Sequence, residues 1–192
     1  MMISKTSSVA ARSYGGVQIL ARCDLGIPKP SQTAKARASC NIARNIQYAC
    51  VRLLLDTATM VAAIRSDAGA SRQLLVAALE RRLTLIASVP LMIEYQAVMT
   101  RPEHLEASCL SAGDVNALLD AVAAVAEPVR LVFLWRPAVR DPDDDMVLEA
   151  AVNGLADAIV TFNLRDFGKV AERFGIMVLS PGEALRRLER KT

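Results

Sequence analysis

From Val51 onward the chain alternates short apolar runs with amphipathic segments, and this alternation constrains its fold more than any other feature. Val51-Arg-Leu-Leu-Leu55 is an apolar run ending on Asp56, the pattern of a parallel strand buried on both faces. Helices are predicted over 59–65 and 70–82, a strand over 84–87, a helix over 90–100 opening on Pro90, and a helix over 111–126 capped by Ser111 with Asp114 at its third position. A strand over 129–133, a helix over 143–153 stopped by Gly154, a strand over 158–161, a helix over 164–174, a strand over 177–179 and a helix over 181–190 complete the series. Five strands separated by helices imply an α/β fold, a three-layer α/β/α sandwich around a central parallel sheet of about five strands. In such sheets the working site forms outside the carboxyl ends of the strands. That rule puts Asp56 and the loop 161–166 on one edge of the sheet.

Residues 1–50 differ in kind. Gly15-Gly16, Pro28-Lys-Pro30 and scattered Ser and Thr interrupt any period, so a disordered or poorly ordered basic extension is expected there, with at most a short helix near 34–48. The single domain, of ordinary size, is expected over 51–190. Seven of the 23 Lys and Arg but one of the 20 Asp and Glu fall in the first 50 residues, leaving 16 basic against 19 acidic in the body. The basicity therefore belongs to the extension, which reads either as an Arg/Ser-rich organellar leader or, more plainly, as a flexible or wrongly included segment. Cys23, Cys40, Cys50 and Cys109 show no zinc-type spacing and read as free thiols of a reducing cytoplasm. No run approaches a membrane span, so no membrane association is expected.

The mild acidity of the body is concentrated. Asp56, Glu94, the run Asp141, Asp143, Asp144, Asp145, and Asp166 fall at strand ends and helix starts, with one histidine and no cysteine pair to help them. Carboxylates gathered in this way suit hard divalent cations and phosphodiester chemistry. Each has a plainer reading. Asp56, after three leucines, could cap the next helix; Glu94 could be an ordinary surface acid; one or two of the acid run could favour a helix N-terminus; and Asp166 could pair with Arg165 or cap its helix. Four like charges in one short run still repel unless something positive sits among them. His104 is expected in a loop beside Pro102 and Glu103. No phosphate-binding glycine loop and no nucleophile elbow is present, and Ala58 stands where an aspartyl phosphotransferase needs its second acid.

Leu54-Leu-Asp-Thr57, Ser88-Val-Pro-Leu-Met-Ile-Glu-Tyr95 with Arg101-Pro102, Arg140-Asp-Pro-Asp-Asp-Asp145, and Ile159-Val-Thr-Phe-Asn-Leu-Arg-Asp-Phe167 ahead of Leu179-Ser-Pro181 together resemble a PIN domain, over roughly 51–187. The similarity is to PIN-family toxins of toxin–antitoxin modules, the VapC-like ribonucleases. It implies an endoribonuclease dependent on Mg²⁺ or Mn²⁺, with Asp56, Glu94, Asp144 and Asp166 as catalytic metal ligands and Asp145 as an alternative or additional ligand. Thr57, Thr161 and Asn163 are implied as supporting residues, and Arg65, Arg72, Arg101, Arg140 and Arg165 are candidates to guide the RNA backbone. An antitoxin and a second copy of the chain are the implied partners, with the Ala/Leu-rich helices at 70–82 and 111–126 as candidate dimer faces. The family usually carries Asn where this chain has Ala58, a loss that Thr57 or Thr59 could offset. The alternative implied by that loss is a catalytically weakened module that acts by binding an antitoxin or RNA.

Overall fold

The computed structural model describes residues 51–134 and 144–190. The expected basic extension over 1–50 lies outside the described residues, as do Arg140, Asp141 and Asp143. Five strands, β1 (Arg52–Leu55), β2 (Thr84–Ser88), β3 (Glu127–Val129), β4 (Ala158–Val160) and β5 (Met177–Leu179), lie in the order β3-β2-β1-β4-β5, and every pairing is parallel. The helices among the described residues are α1 (Thr57–Arg65), α2 (Ala70–Leu79), α3 (Val89–Met99), α4 (Pro102–Ser108), α5 (Ala112–Val125), α6 (Asp145–Asn153), α7 (Leu164–Glu172) and α8 (Pro181–Glu189).

The three leucines of β1 are all buried, which requires cover on both faces of the sheet. Helices α1, α2, α3, α5 and α8 pack on one another, while α6 packs against β1, β2 and β4 and also meets α3, and α7 packs against β5. Right-handed crossovers put these two groups on opposite faces, giving the α/β/α sandwich. The chain winds outward from β1 to β2 and β3, then crosses back to add β4 and β5 on the other side of β1. Connections therefore diverge between β1 and β4, where the carboxyl ends open a crevice.

Two expectations need correction. The third strand is Glu127–Val129, not 129–133: Ile86 pairs with Glu127 and Ser88 with Val129, so β2 has no further residue to offer. Beyond it, Val132 and Phe133 instead donate their backbone N–H groups to the Asn153 side chain, each at 3.0 Å, and their side chains stay exposed. His104 lies on helix α4 rather than in a loop; Pro102 opens that helix and Glu103 occupies its first turn, both favourable at an N-terminus. The capping box of Ser111 and Asp114 forms as expected.

Gly154 ends α6 as anticipated, but not through a left-handed conformation, since its φ is −87°. A Cβ there would lie 2.7 Å from Val129 Cγ2 and 2.8 Å from both the Ala150 carbonyl oxygen and Ile86 Cδ1. Close packing of α6 on the sheet is what needs the glycine. The left-handed position passes to exposed Leu155, at φ 50°. Among the described residues no single helix is long and apolar enough to cross a membrane.

Candidate active site

The register of the central strands brings the expected site residues level with one another. Leu55 pairs with Val160, Asp56 N–H donates to the Val160 carbonyl at 2.9 Å, and Thr161 N–H donates to the Leu179 carbonyl at 3.0 Å. Asp56 and Thr161 thus leave adjacent strands side by side, at the crevice. Asp56 is only 6% exposed and occupies the N-cap position of α1 without making a side-chain cap bond. Ser88, at the end of β2, and Ser180, after β5, do cap their helices, accepting from Leu91 and Glu183 N–H. The Asp56 carboxylate faces the next strand instead: its Oδ2 accepts from Thr161 Oγ1 at 2.7 Å.

This bond begins a chain of hydrogen bonds. Thr161 Oγ1, fully buried, also accepts from Asn163 N–H at 2.9 Å, and Asn163 Nδ2 donates to the Asp166 carboxylate. Asp166, in the first turn of α7, is therefore oriented by Asn163. A second branch reaches α3. Thr57 Oγ1 donates to Glu94 Oε1 at 2.8 Å, so Glu94 is a half-buried, held carboxylate and not an ordinary surface acid. Its neighbour Tyr95 is fully buried and donates its hydroxyl to the Leu55 carbonyl, which fixes α3 against the end of β1.

Electrostatics ties the two branches together. Burial pushes the Asp56 carboxyl above its ordinary value, against the smaller opposing effects of the Thr161 hydroxyl and the Thr57 N–H. The Tyr95 phenol is held well above its usual range, first by burial and then by the charges of both Asp56 and Glu94. Both carboxylates therefore act on one phenol. Among the described residues Asp56 makes no ion pair.

Helix α6 runs back across the sheet from the carboxyl ends to β4, which puts its first residue at the crevice end. That residue, Asp145, is 2% exposed, whereas Asp144 before it is half-buried and makes no side-chain cap bond. Glu149, one turn along, is also fully buried. Sequence reading passed over Glu149; its signal was the four-residue spacing from Asp145 in an otherwise apolar helix, which puts both acids on one face.

Other expected contributors go elsewhere. Thr59 Oγ1 donates to the Val160 carbonyl at 3.0 Å, so it joins α1 to β4 and supplies nothing beside exposed Ala58. Arg72 is buried, donating to the Ala63 carbonyl at 3.2 Å and lying 3.7 Å from Asp67, so it is a structural residue and no guide for a polyanion. Arg65 closes the far end of α1, about 12 Å along the helix from Thr57. Arg165 is exposed beside Asp166. The apolar residues of α2 and α5 expected at a dimer face are largely spent on the core. A groove of about 400 Å³ between α3 and α5, beside Val89 and Ile93, is lined by Asp120 and by none of Asp56, Glu94, Asp145 or Asp166.

Among the described residues no three His, Cys, Asp or Glu side chains converge into a group able to hold a metal ion. The individual donors nevertheless fit a hard divalent cation in chemistry: they are oxygen-only, and buried Asp56 has no cationic partner among the described residues to offset its charge. The sequence matches the family model described as the PIN domain over residues 52–165. No curated protein and no solved structure matches the chain.

Proposed function

Since the chain belongs to the PIN-domain family, whose members are generally nucleases, we propose that it is an endoribonuclease dependent on Mg²⁺ or Mn²⁺ and the toxin of a cytoplasmic toxin–antitoxin module. The observation that carries this reading is the hydrogen-bonded line Asp56–Thr161–Asn163–Asp166 at the switch point of the sheet, with no cation paired to its buried carboxylate among the described residues. In this reading Asp56, Glu94, Asp145 and Asp166 hold the cation, with Asp144 beside them. The cation supplies the positive charge that polarises the phosphate and acidifies water for hydrolysis.

The protein's own side chains orient and select. Thr161 aims Asp56, Thr57 aims Glu94, and Asn163 aims Asp166. Exposed Arg165 draws the phosphate backbone toward an otherwise acidic site. The substrate is single-stranded RNA, cut by in-line attack of water with departure of the 3′-oxygen. A cognate antitoxin and a second copy of the chain are the proposed partners, and exposed Val89 and Ile93 on α3 supply apolar surface for such contact.

One observation favours a second reading. Because no three described acids converge, and exposed Ala58 brings no amide to the site, the fold would also serve a weakened module that binds RNA or an antitoxin without cutting. Incubating a mixed RNA pool with wild type and Asp56→Asn, in Mg²⁺, Mn²⁺ or EDTA, decides between them. Cleavage that needs metal and Asp56 supports the nuclease; an inert wild type that still binds RNA supports the second reading. Undiminished cleavage in EDTA sinks the proposal.

A further inference from the structure

Phe162 sits between two residues whose side chains are committed to the carboxylates. Thr161 is bonded to Asp56 and Asn163 to Asp166, so the backbone carrying Phe162 is pinned from both sides. Its own side chain is 58% exposed. Phenylalanine is scarce in this chain, with four in 192 residues, and Phe167, five positions along, is fully buried in the core. Leu164, at the start of α7, is exposed beside it, and so is Arg165. An aromatic face, an aliphatic shoulder and a guanidinium thus lie within four residues, across the end of the loop and the first turn of α7 that carries Asp166.

Exposed apolar residues are common on protein surfaces, and one alone would mean little. Here, however, the ring is held at the rim of a carboxylate site, where apolar surface does nothing for acids or for a cation. Among biological polyanions, the groups that would use a flat apolar face beside a cationic side chain are unpaired nucleobases joined by phosphates. A duplex keeps its base faces stacked and offers only edges and backbone. We propose that Phe162 stacks on an unpaired base next to the bond to be cut, while Arg165 meets the adjoining phosphate, making the site selective for single strands. This rests on the nuclease reading and adds to it a named residue that selects the substrate's conformation. Stacking tolerates every base, so the expected selectivity is for single over double strands and not for one sequence.

Binding is the readout, with a fluorescein-labelled, 2′-O-methylated single-stranded oligomer of mixed sequence as the probe, in Mg²⁺. Phe162→Ala should weaken binding by about 5- to 150-fold, the range that loss of one base–aromatic stack produces. Phe162→Tyr should restore it. A probe series with one abasic position moved along the strand should show a single position where wild type loses affinity and Phe162→Ala loses no more. With an unmodified RNA substrate, Phe162→Ala should raise KM and leave kcat within about twofold, since the ring touches no reacting atom. Equal binding by wild type and Phe162→Ala, or losses from the variant and the abasic position that simply add, would overturn the stacking role. If Asp56→Asn abolishes cleavage while Phe162→Ala binds and cuts as wild type does, the nuclease reading stands and this inference falls. If wild type neither binds nor cuts any single strand, both fall.

Discussion

The Thr161 hydroxyl donates to the Asp56 carboxylate at 2.7 Å, joining the exits of two adjacent parallel strands that lie 105 residues apart in the chain. The same oxygen accepts from Asn163 N–H at 2.9 Å, so one buried atom serves both the first acid and the loop that leads into the helix bearing the last. Thr161→Val keeps the shape and removes both bonds. It should destabilise the fold by about 1–3 kcal/mol, the cost of stranding buried polar partners, and lower RNA cleavage by about 10- to 100-fold. Thr161→Ser should recover most of both. Thermal unfolding and initial rates measure these effects; a Val variant with wild-type activity would show that Asp56 needs no such alignment.

Asp56 carries a cost in the metal-free protein. Its folded-state carboxyl lies above the ordinary 3.8, chiefly through burial. A group raised in this way contributes stability below its unfolded value and loses it as pH rises through the folded value. At neutral pH the ionised carboxylate therefore works against the fold. In EDTA, Asp56→Asn should melt above wild type at pH 7, and the gap should close as pH falls towards 4. Added Mg²⁺ should raise the midpoint of wild type and leave the variant unmoved. The reverse order of midpoints at pH 7 would mean that burial does not dominate at Asp56.

Which of these features the sequence disclosed follows from how each is encoded. Strand exits were readable because a run such as Leu53-Leu-Leu55 needs cover on both faces, and the parallel-sheet rule then brings Asp56 and the 161–166 loop to one edge. The helix starts at Pro90, Ser111 and Pro181 were readable because capping is local chemistry, but the short helix that Pro102 opens was read as a loop. Packing distances were not. Nothing in the run Val129–Phe133 says that β2 is exhausted at Ser88, and nothing near Gly154 says that Ile86 and Val129 crowd it. Within the acid run the sequence favoured Asp144 with Asp145 as its alternative, and only the burial of Asp145 distinguishes the two.

Leu155 occupies the left-handed region at φ 50° because Gly154, the residue suited to that conformation, is required one position earlier for space. Its side chain is 79% exposed and contributes little packing. Left-handed backbone costs a branched residue about 1–2 kcal/mol, and glycine's greater unfolded-state freedom returns part of that. Leu155→Gly should therefore stabilise the protein by about 0.5–1 kcal/mol. Denaturant unfolding checks the sign, and a loss of stability would show that the exposed leucine packs after all.

At the opposite end of the sheet, Arg52 forks onto Glu127, with Nη1–Oε2 at 2.6 Å and Nη2–Oε1 at 3.0 Å, and also donates to the Gly154 carbonyl at 2.8 Å. The Glu127 carboxyl is held below its ordinary 4.5, first by that hydrogen bond. A lowered carboxyl adds stability above its unfolded value and loses it as pH falls through the folded value. Both side chains are partly exposed, so water screens the pair and about 0.5–1 kcal/mol is expected. Glu127→Gln should cost that much at pH 7 and progressively nothing as pH drops below 4.5. Unfolding midpoints across that window test it, and a gap that widens in acid would contradict the sign.

Asp144 and Asp145 are adjacent, yet the start of α6 separates them. Asp145 is the first residue of the helix and nearly inaccessible, while Asp144 holds the N-cap position and is half-buried. Charges interact more strongly in the drier surroundings of Asp145 than at half-buried Asp144, so a cation that reaches the crevice gains more from the deeper acid. Asp145→Asn should accordingly abolish both Mg²⁺-dependent thermal stabilisation and RNA cleavage, while Asp144→Asn should keep the stabilisation and lose no more than about tenfold in rate. Comparing the two variants with and without Mg²⁺ separates a ligand from a neighbour. If Asp144→Asn proves the more damaging for metal, then the carboxylate that reaches the crevice is the one before the helix, and the depth of Asp145 reflects packing of α6 against the sheet.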